Sequence, residues 1–359
     1  MKKLLITAYN LDIGGIETAL LNLLKKLDLN IYDITLVLEK KEGIFLDQVP
    51  SGIKVIDYNL SYSKNVIYRK LRNRLKLIIW KLIHKNKYDY SFCFATHSIP
   101  GAHIALNGSK NNAIWIHSNY CSFFKYDTDK LNNFFDKIKI SKFKNYIFVS
   151  NQNKEETLKH YNLEGNIYVI NNIMDGESII KKCKEKIEYQ RPKNKTLFVN
   201  VSRHDEYQKR ITRIIEASKK LLKEGYDFEL LLIGDGPEHQ LYRDLVKKYK
   251  LENNIKFLGK KSNPFPYYKI ADAAILSSPN EGYPVVFNEA RILNVPLITT
   301  KVSDYQDIEN KYGIVTEQEE IYNGMKQFLD KGFKIKKKFN YQEYNQDILT
   351  KIENLINNN

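Results

Sequence analysis

Cysteine is scarce in this sequence. Only Cys93, Cys121 and Cys183 occur in 359 residues, an odd number, widely separated and with no C-x-x-C pair. That excludes a disulfide framework and a cysteine-built zinc site, and it fits a reducing cytoplasm. Long apolar runs are missing too. The longest, such as LKLIIWKLI over residues 75–83, is broken by lysine well short of the roughly 18 residues a spanning helix needs, so no transmembrane segment is expected. The opening LLITA is shorter than the roughly 7–15-residue core of a secretion signal and meets Tyr9, Asn10 and Asp12 at once, which makes it a first strand. Arginine is the third shortage. The chain carries 57 basic and 42 acidic residues, a formal charge of +15, yet only 9 of the 57 are arginine. Proteins that read DNA bases lean on arginine forks, whereas lysine serves phosphates and membrane surfaces equally well. Plain solvation of a lysine-rich surface is the alternative.

What is present is a folded chain of ordinary composition, 43% hydrophobic and 28% charged, and long enough for two domains of about 100–200 residues each. Short apolar runs alternate with longer segments of helical spacing, the pattern of parallel α/β units. KLLITA (3–8), DITLVL (33–38), YSFCFA (90–95), AIWIH (113–117) and NYIFVS (145–150) form a first series of strands. A second series comprises TLFVNV (196–201), FELLLIG (228–234), IKFLG (255–259), DAAILSS (272–278), VPLITT (295–300) and GIVT (313–316). The polar stretch KKCKEKIEYQRPKNK separates them. The expected organisation is therefore an N-terminal Rossmann-like domain over 1–180, a linker over 181–195, a C-terminal Rossmann-like domain over 196–338 and a closing helix over 339–359. Two doubly wound domains of this kind face a central cleft, and ligands of open α/β sheets bind outside the carboxyl ends of the strands.

Directly after the first strand, Gly14 and Gly15 open a segment of helical spacing. Amides and the helix dipole at such a terminus attract anions, and glycine lets a phosphate or sugar come close; an ordinary strand-to-helix turn has the same pattern. Richer in chemistry is SSPNEGYPVVFNEA (277–290), where Glu281 and Glu289 are eight positions apart. Glu281 is expected in the loop after a strand, Pro284 in the first turn of the following helix, and Glu289 about two turns along it. The amides around Gly282, Tyr283, Pro284 and Val285 then make a diphosphate site at the helix N-terminus. Helix capping by Glu281 and solvation of Glu289 is the simpler alternative.

The E-x7-E element, the early GGIE, WIHSN (115–119), VSRHDEYQKR (201–210) and IGDGPE (233–238) occur in an order that resembles the family 4 glycosyltransferases, which have the GT-B fold. The resemblance covers nearly the whole chain and implies a retaining hexosyltransferase. Its donor would be a nucleotide-diphosphate sugar, by default UDP-linked, bound by the C-terminal domain, and its acceptor, bound by the N-terminal domain, a glycan or lipid-linked molecule of capsule-type surface polysaccharide synthesis. It assigns Arg203 and Lys209 to the donor diphosphate, Glu289 to the ribose and Glu281 to the transferred sugar. His117 is assigned to the donor sugar near the reacting carbon and Gly15, beside Gly14, to the donor phosphate. Asp235 and Gly236 form a turn beside the nucleoside whose first role is structural. No metal or other cofactor is implied. Asp127-x-Asp129 has the form of a manganese motif from another fold, but its place before a helical segment marks it as a cap.

Three departures from the family pattern stand out. Ser202 replaces a glycine, the Arg203-to-Lys209 spacing is one residue long, and Arg210 replaces a customary glycine. In VINNIMD (169–175), Asn172 and Asp175 resemble the hinge, with Asn171 and Ile173 in place of its proline and glycine. Residues 64–87 combine an apolar stripe with many lysines and arginines, a basic amphipathic helix. The stripe is expected to pack on the N-domain sheet, leaving the basic residues to meet an anionic membrane peripherally. Two rival classes share the fold: a nucleic-acid-binding or base-glycosylating protein drawn by the positive charge, and a catalytically silent scaffold.

Overall fold

The computed structural model describes residues 1–12, 14–60 and 63–357; Asn358 and Asn359 of the expected closing segment lie outside these. The chain forms two compact units. One comprises Met1–Met174 with Tyr344–Asn359, the other Asp175–Glu343.

In the first unit, runs buried on both faces become strands of one parallel sheet. Its strands are β1 (Lys2–Ala8), β2 (Tyr32–Leu38), β3 (Lys54–Asp57), β4 (Tyr90–Cys93), β5 (Asn112–Ile116), β6 (Asn145–Phe148) and β7 (Asn166–Val169), in the order β3-β2-β1-β4-β5-β6-β7. The pairing is parallel throughout. β3 and β7 escape sequence reading for a physical reason. They are the two edge strands, their residues are half-buried or exposed, and neither has a continuous apolar run.

The second unit repeats the design with β8 (Thr196–Val201), β9 (Phe228–Ile233), β10 (Ile255–Gly259), β11 (Ala273–Leu276), β12 (Leu297–Thr300) and β13 (Gly313–Thr316), in the order β10-β9-β8-β11-β12-β13. All six expected strands are present. Phe198, Leu230, Leu232, Ile275 and Ile298 pack from the sheet against Ile214, Ile215 and Leu221 of the helix Ile211–Lys223. In both sheets the order reverses beside the first strand, between β1 and β4 and between β8 and β11, and each reversal opens a crevice at the strands' carboxyl ends.

The boundary differs from the expected linker. The chain divides between Met174 and Asp175, inside VINNIMD, and the helix Gly176–Lys182, whose last two residues open the expected linker, belongs to the second unit. Asp175 caps that helix by accepting from the Ser178 amide at 3.0 Å. The last helix, Tyr341–Asn357, passes from the second unit into the first, where Ile348, Ile352, Leu355 and Ile356 are buried. Asn345 fastens it there. Its side chain accepts from the Met174 amide at 2.9 Å and donates to the Met174 carbonyl at 2.7 Å.

The basic segment is the helix Val66–His84, but its stripe does not pack as expected: Trp80 alone is buried, and Ile67, Leu71, Leu75, Ile78, Ile79 and Leu82 are exposed. Among the described residues no helix is long and apolar enough to cross a membrane. Cys93, Cys121 and Cys183 are buried free thiols.

Asn345→Ala removes both partners of the Met174 backbone and is expected to lower stability by about 2 kcal/mol, read from urea unfolding, and to hasten proteolysis of the final helix. Unchanged unfolding and cleavage would show that apolar packing alone holds it.

Candidate functional site

In the second unit, the reversal of strand order brings the loop after β8 beside the loop after β11. The first carries Arg203, His204 and Lys209, the second Ser277 and Glu281. Ser277 Oγ bonds the Lys209 carbonyl at 2.8 Å and the Arg210 carbonyl at 3.0 Å, which clasps the two loops. Lys209 Nζ then donates to Glu281 Oε1 in a largely buried ion pair. Arg203 has separate partners: its guanidinium donates to Asp205 at 2.9 Å and Gln208 at 2.6 Å, and more than half of its side chain is exposed. The two cations assigned to one diphosphate are thus anchored differently, a buried ammonium held by Glu281 and a solvent-facing fork.

The segment after β8 also explains a departure noted in the sequence. Residues Glu206–Lys209 form one helical turn, and Arg210, at φ 48° and ψ 45°, joins it to Ile211–Lys223 in the left-handed region. That conformation is the one glycine adopts without cost.

Glu281 lies in the loop after β11, as expected. Pro284 does not enter the first turn; at ψ 121° it is the N-cap of the helix Val285–Leu293, and Glu289 lies about one turn in, not two. This terminus has no side-chain cap, so amides of its first turn face outward beside Gly282 and Tyr283. Around it, Ser303 Oγ donates to the Gly282 carbonyl at 2.7 Å. The Tyr283 hydroxyl accepts from Arg291 at 2.8 Å and donates to Asp307 at 3.0 Å. Buried Arg291, which sequence reasoning missed, thereby braces the loop that carries Glu281.

Glu289 retains some exposure, but its carboxyl is enclosed, and desolvation pushes its pKa up to about 7, against the hydrogen bond it accepts from the Tyr268 hydroxyl at 3.2 Å. Tyr268 is buried and held well above its ordinary pKa by the same desolvation and by the Glu289 charge.

Asp235 and Gly236 lie in the turn after β9, and their geometry is structural. Gly234, at φ 147°, has the Ser202 carbonyl 1.9 Å from where a Cβ would stand, and Gly236 has the His204 carbonyl at 2.3 Å. No other residue allows this approach of the β8 and β9 loops. Beneath it, His204 and His239 share an Nδ1 to Nδ1 hydrogen bond of 2.8 Å in nearly parallel rings. Burial first, and the His239 charge second, lower the His204 pKa to about 4. The pair was not legible in the sequence, since its members meet only where the loops cross.

In the first unit, Gly14 is the extended N-cap of the helix Gly15–Lys26, and a Cβ on Gly15 would meet nothing within 4 Å. His117 follows β5, stacked on Trp115 at 5.9 Å and close to Phe94 at 4.6 Å. Burial, and then the charge of His97, lower its pKa to about 3, so it is neutral. Both of its ring nitrogens are buried, and the nearby Phe94 backbone opposes the shift only weakly. Asp127 caps the helix Thr128–Ile138, accepting from the Lys130 amide at 3.0 Å and pairing with the Lys130 side chain at 2.8 Å. Among the described residues no cluster of three or more metal-ligating side chains occurs.

Two Rossmann-like units with anion-binding loops at the carboxyl ends of parallel strands define the GT-B class. The sequence matches the family Glycosyl transferases group 1 over residues 181–346 and Glycosyltransferase Family 4 over residues 13–177. The chain belongs to these glycosyltransferases. It is similar to the uncharacterized glycosyltransferase MJ1059 of Methanocaldococcus jannaschii, 27% identical over 222 residues, or 60% of this chain and 54% of that one. It is 30% identical over 144 residues to N-acetyl-alpha-D-glucosaminyl L-malate synthase of Bacillus anthracis, covering 40% and 37% of the two chains. The aligned parts thus span about half or less of these curated relatives. In fold it matches Anabaena HepE in complex with UDP, with a TM-score of 0.73, 17% identity and coverage of 98% and 100%. It also matches sucrose-phosphate synthase of Thermosynechococcus elongatus, with a TM-score of 0.76, 14% identity and 100% coverage of both.

Two outcomes are expected from this geometry. Arg210→Gly relieves the left-handed residue and, after the added freedom of the unfolded chain, should raise unfolding stability by about 0.5–1 kcal/mol; a loss would mean the arginine side chain matters more than its backbone. For Glu289 the folded pKa lies above the unfolded one, so stability falls as pH rises from about 4.5 to about 7. Glu289→Gln should therefore be more stable than the parent by about 1–2 kcal/mol at pH 8 and match it at pH 4, compared by thermal melts.

Proposed function

We propose that the protein is a retaining glycosyltransferase that moves a hexose from a UDP-linked donor to a glycan or lipid-linked acceptor of surface polysaccharide synthesis, working in the cytoplasm at the inner membrane face and needing no metal. The observation that carries this reading is the clasped pair of loops in the second unit. There a lysine and an arginine flank an uncapped helix terminus, and an enclosed carboxylate lies one turn further on. HepE, a neighbour in fold, has been crystallised with UDP and with UDP-glucose, and relatives include proteins named for amylovoran and colanic acid biosynthesis.

In this reading the donor diphosphate lies on the amides around Val285, with Arg203 and Lys209 offsetting its charge. Lys209 exchanges part of its contact with Glu281 for phosphate oxygen, leaving Glu281 to face the sugar. Glu289 accepts from the ribose hydroxyls, and Asp235 and Gly236 shape the turn beside the base. The bond from the anomeric carbon to the phosphate oxygen breaks, the acceptor oxygen bonds the same face, and its proton passes to the departing phosphate. Stabilising that phosphate is electrostatic work by fixed cations, with no side-chain nucleophile.

The test is calorimetric titration with UDP, GDP and ADP in the presence of EDTA. UDP should bind in the micromolar range, and Lys209→Ala and Glu289→Ala should each weaken it about 10–100-fold. Absence of nucleotide binding, together with steeply salt-dependent binding to duplex DNA, would turn the assignment to the nucleic-acid alternative; absence of both would leave a scaffold.

A further inference from the structure

The loop of residues 277–284, which carries Glu281, has no helix or strand of its own between β11 and the helix Val285–Leu293. Side chains from other elements hold its carbonyls. Arg213 Nη1 donates to that of Ser277 at 3.1 Å, Thr300 Oγ1 to that of Ser278 at 2.8 Å, Gln318 Nε2 to that of Pro279 at 3.4 Å and Ser303 Oγ to that of Gly282 at 2.7 Å. Backbone groups that belong to no ladder need partners of this kind once they are buried. Arg213 and Gln318 act as one brace. Arg213 Nη1 also donates to Gln318 Oε1 at 3.1 Å, and Gln318 Nε2 also donates to the Lys301 carbonyl. The other edge of the guanidinium is taken by the two oxygens of Glu319, with the Nε bond at 3.1 Å. Arg213 stands in the first turn of the helix Ile211–Lys223, four residues after Lys209, and 11% of its side chain is exposed. The segments after β8, β11 and β13 thus converge on one planar group.

Ser277 is the node of this arrangement. Its carbonyl is held by Arg213, while its hydroxyl holds the Lys209 and Arg210 carbonyls. A displaced Ser277 would move both members of the ion pair together, Lys209 through its own carbonyl and Glu281 through the loop.

We propose that Arg213 is a positioning residue of the donor site, acting on Lys209 and Glu281 through Ser277 and, by way of Gln318, through Pro279. This rests on the reading that Lys209 offsets the charge of the donor diphosphate. Arg213 is not itself a phosphate ligand in that reading, because both edges of its fork are spent on protein oxygen. Lysine could not replace it. A single ammonium cannot grip Glu319 with two parallel bonds and still aim a donor at Ser277 and Gln318.

The test is calorimetric titration of the full chain with UDP, comparing the parent, Arg213→Met, Lys209→Ala and the double variant. Arg213→Met keeps an unbranched side chain and removes the fork. It should weaken UDP about tenfold in the parent and less than about twofold in the Lys209→Ala background, because its effect is exerted through Lys209. A role in stability alone would leave affinity unchanged, or cost the same factor in both backgrounds. Arg213→Lys should recover only part of the lost affinity. Should Arg213→Met fail to fold by circular dichroism, Gln318→Leu decides instead. It leaves Arg213 paired with Glu319, frees Pro279 and should weaken UDP about threefold in the parent and not in the Lys209→Ala background. The proposal is overturned if the folded variant binds UDP as the parent does, or if its effect persists undiminished without Lys209. Failure of the donor reading looks different: the parent then binds no nucleotide, and the positioning role falls with it. A parent that binds UDP, weakened by Lys209→Ala and untouched by the loss of Arg213, overturns the positioning role alone.

Discussion

A parallel sheet can be continued only by crossovers that return along its faces, so every strand ends at the same edge and the chemistry is confined to the loops that leave there. The second unit depends on this constraint. β8 and β11 are neighbours although a whole βαβ stretch separates them in sequence, and their adjacency lets Ser277 hold the Lys209 and Arg210 carbonyls and Glu281 hold the Lys209 ammonium. The glycines of the turn after β9 bring a third loop against the first, at distances that any Cβ would forbid. Sheet order, clasp and close approach are one arrangement. A change in any of them would move the cations relative to the uncapped helix terminus.

Burial acts on the polar groups of both units in the same direction. It raises the carboxyl of Glu289 and lowers the imidazoles of His204 and His117, so groups inside drift toward neutrality while formal charge stays on the loops and on the outer helix. Each buried group is then fixed by what surrounds it: Tyr268 for Glu289, His239 for His204, the Trp115 and Phe94 rings for His117. A carboxyl poised near neutral pH and a neutral imidazole are able to accept or donate hydrogen bonds without a permanent charge.

The helix Val66–His84 shows where periodicity misleads. A stripe at helical spacing normally marks the side that packs, and sequence alone assigns this one to the sheet. In the fold the attachment is made instead by the minority face, through Trp80 and the backbone-bound Lys76, and the stripe points outward. Amphipathicity specifies that two faces differ. Which one turns inward depends on what the neighbouring elements offer, and here Tyr58 and Tyr88 provide an aromatic seat for Trp80.

Eleven strands were legible because a strand covered on both faces is a continuous apolar run, and the motif loops were legible because glycine, proline and charge at strand ends have few other uses. The sequence by itself therefore determined two parallel α/β units and their central strands, and it put Arg203 and Lys209 after β8 and Glu281 after β11. The edge strands β3 and β7, the boundary at Met174 and the return of the last helix through Asn345 came only from the tertiary structure, as did the pairings Lys209 with Glu281, Tyr268 with Glu289 and His204 with His239. The physical reason is range. Local pattern encodes how a segment is buried, whereas a contact between residues tens of positions apart exists only after the crossovers have set the order of the strands.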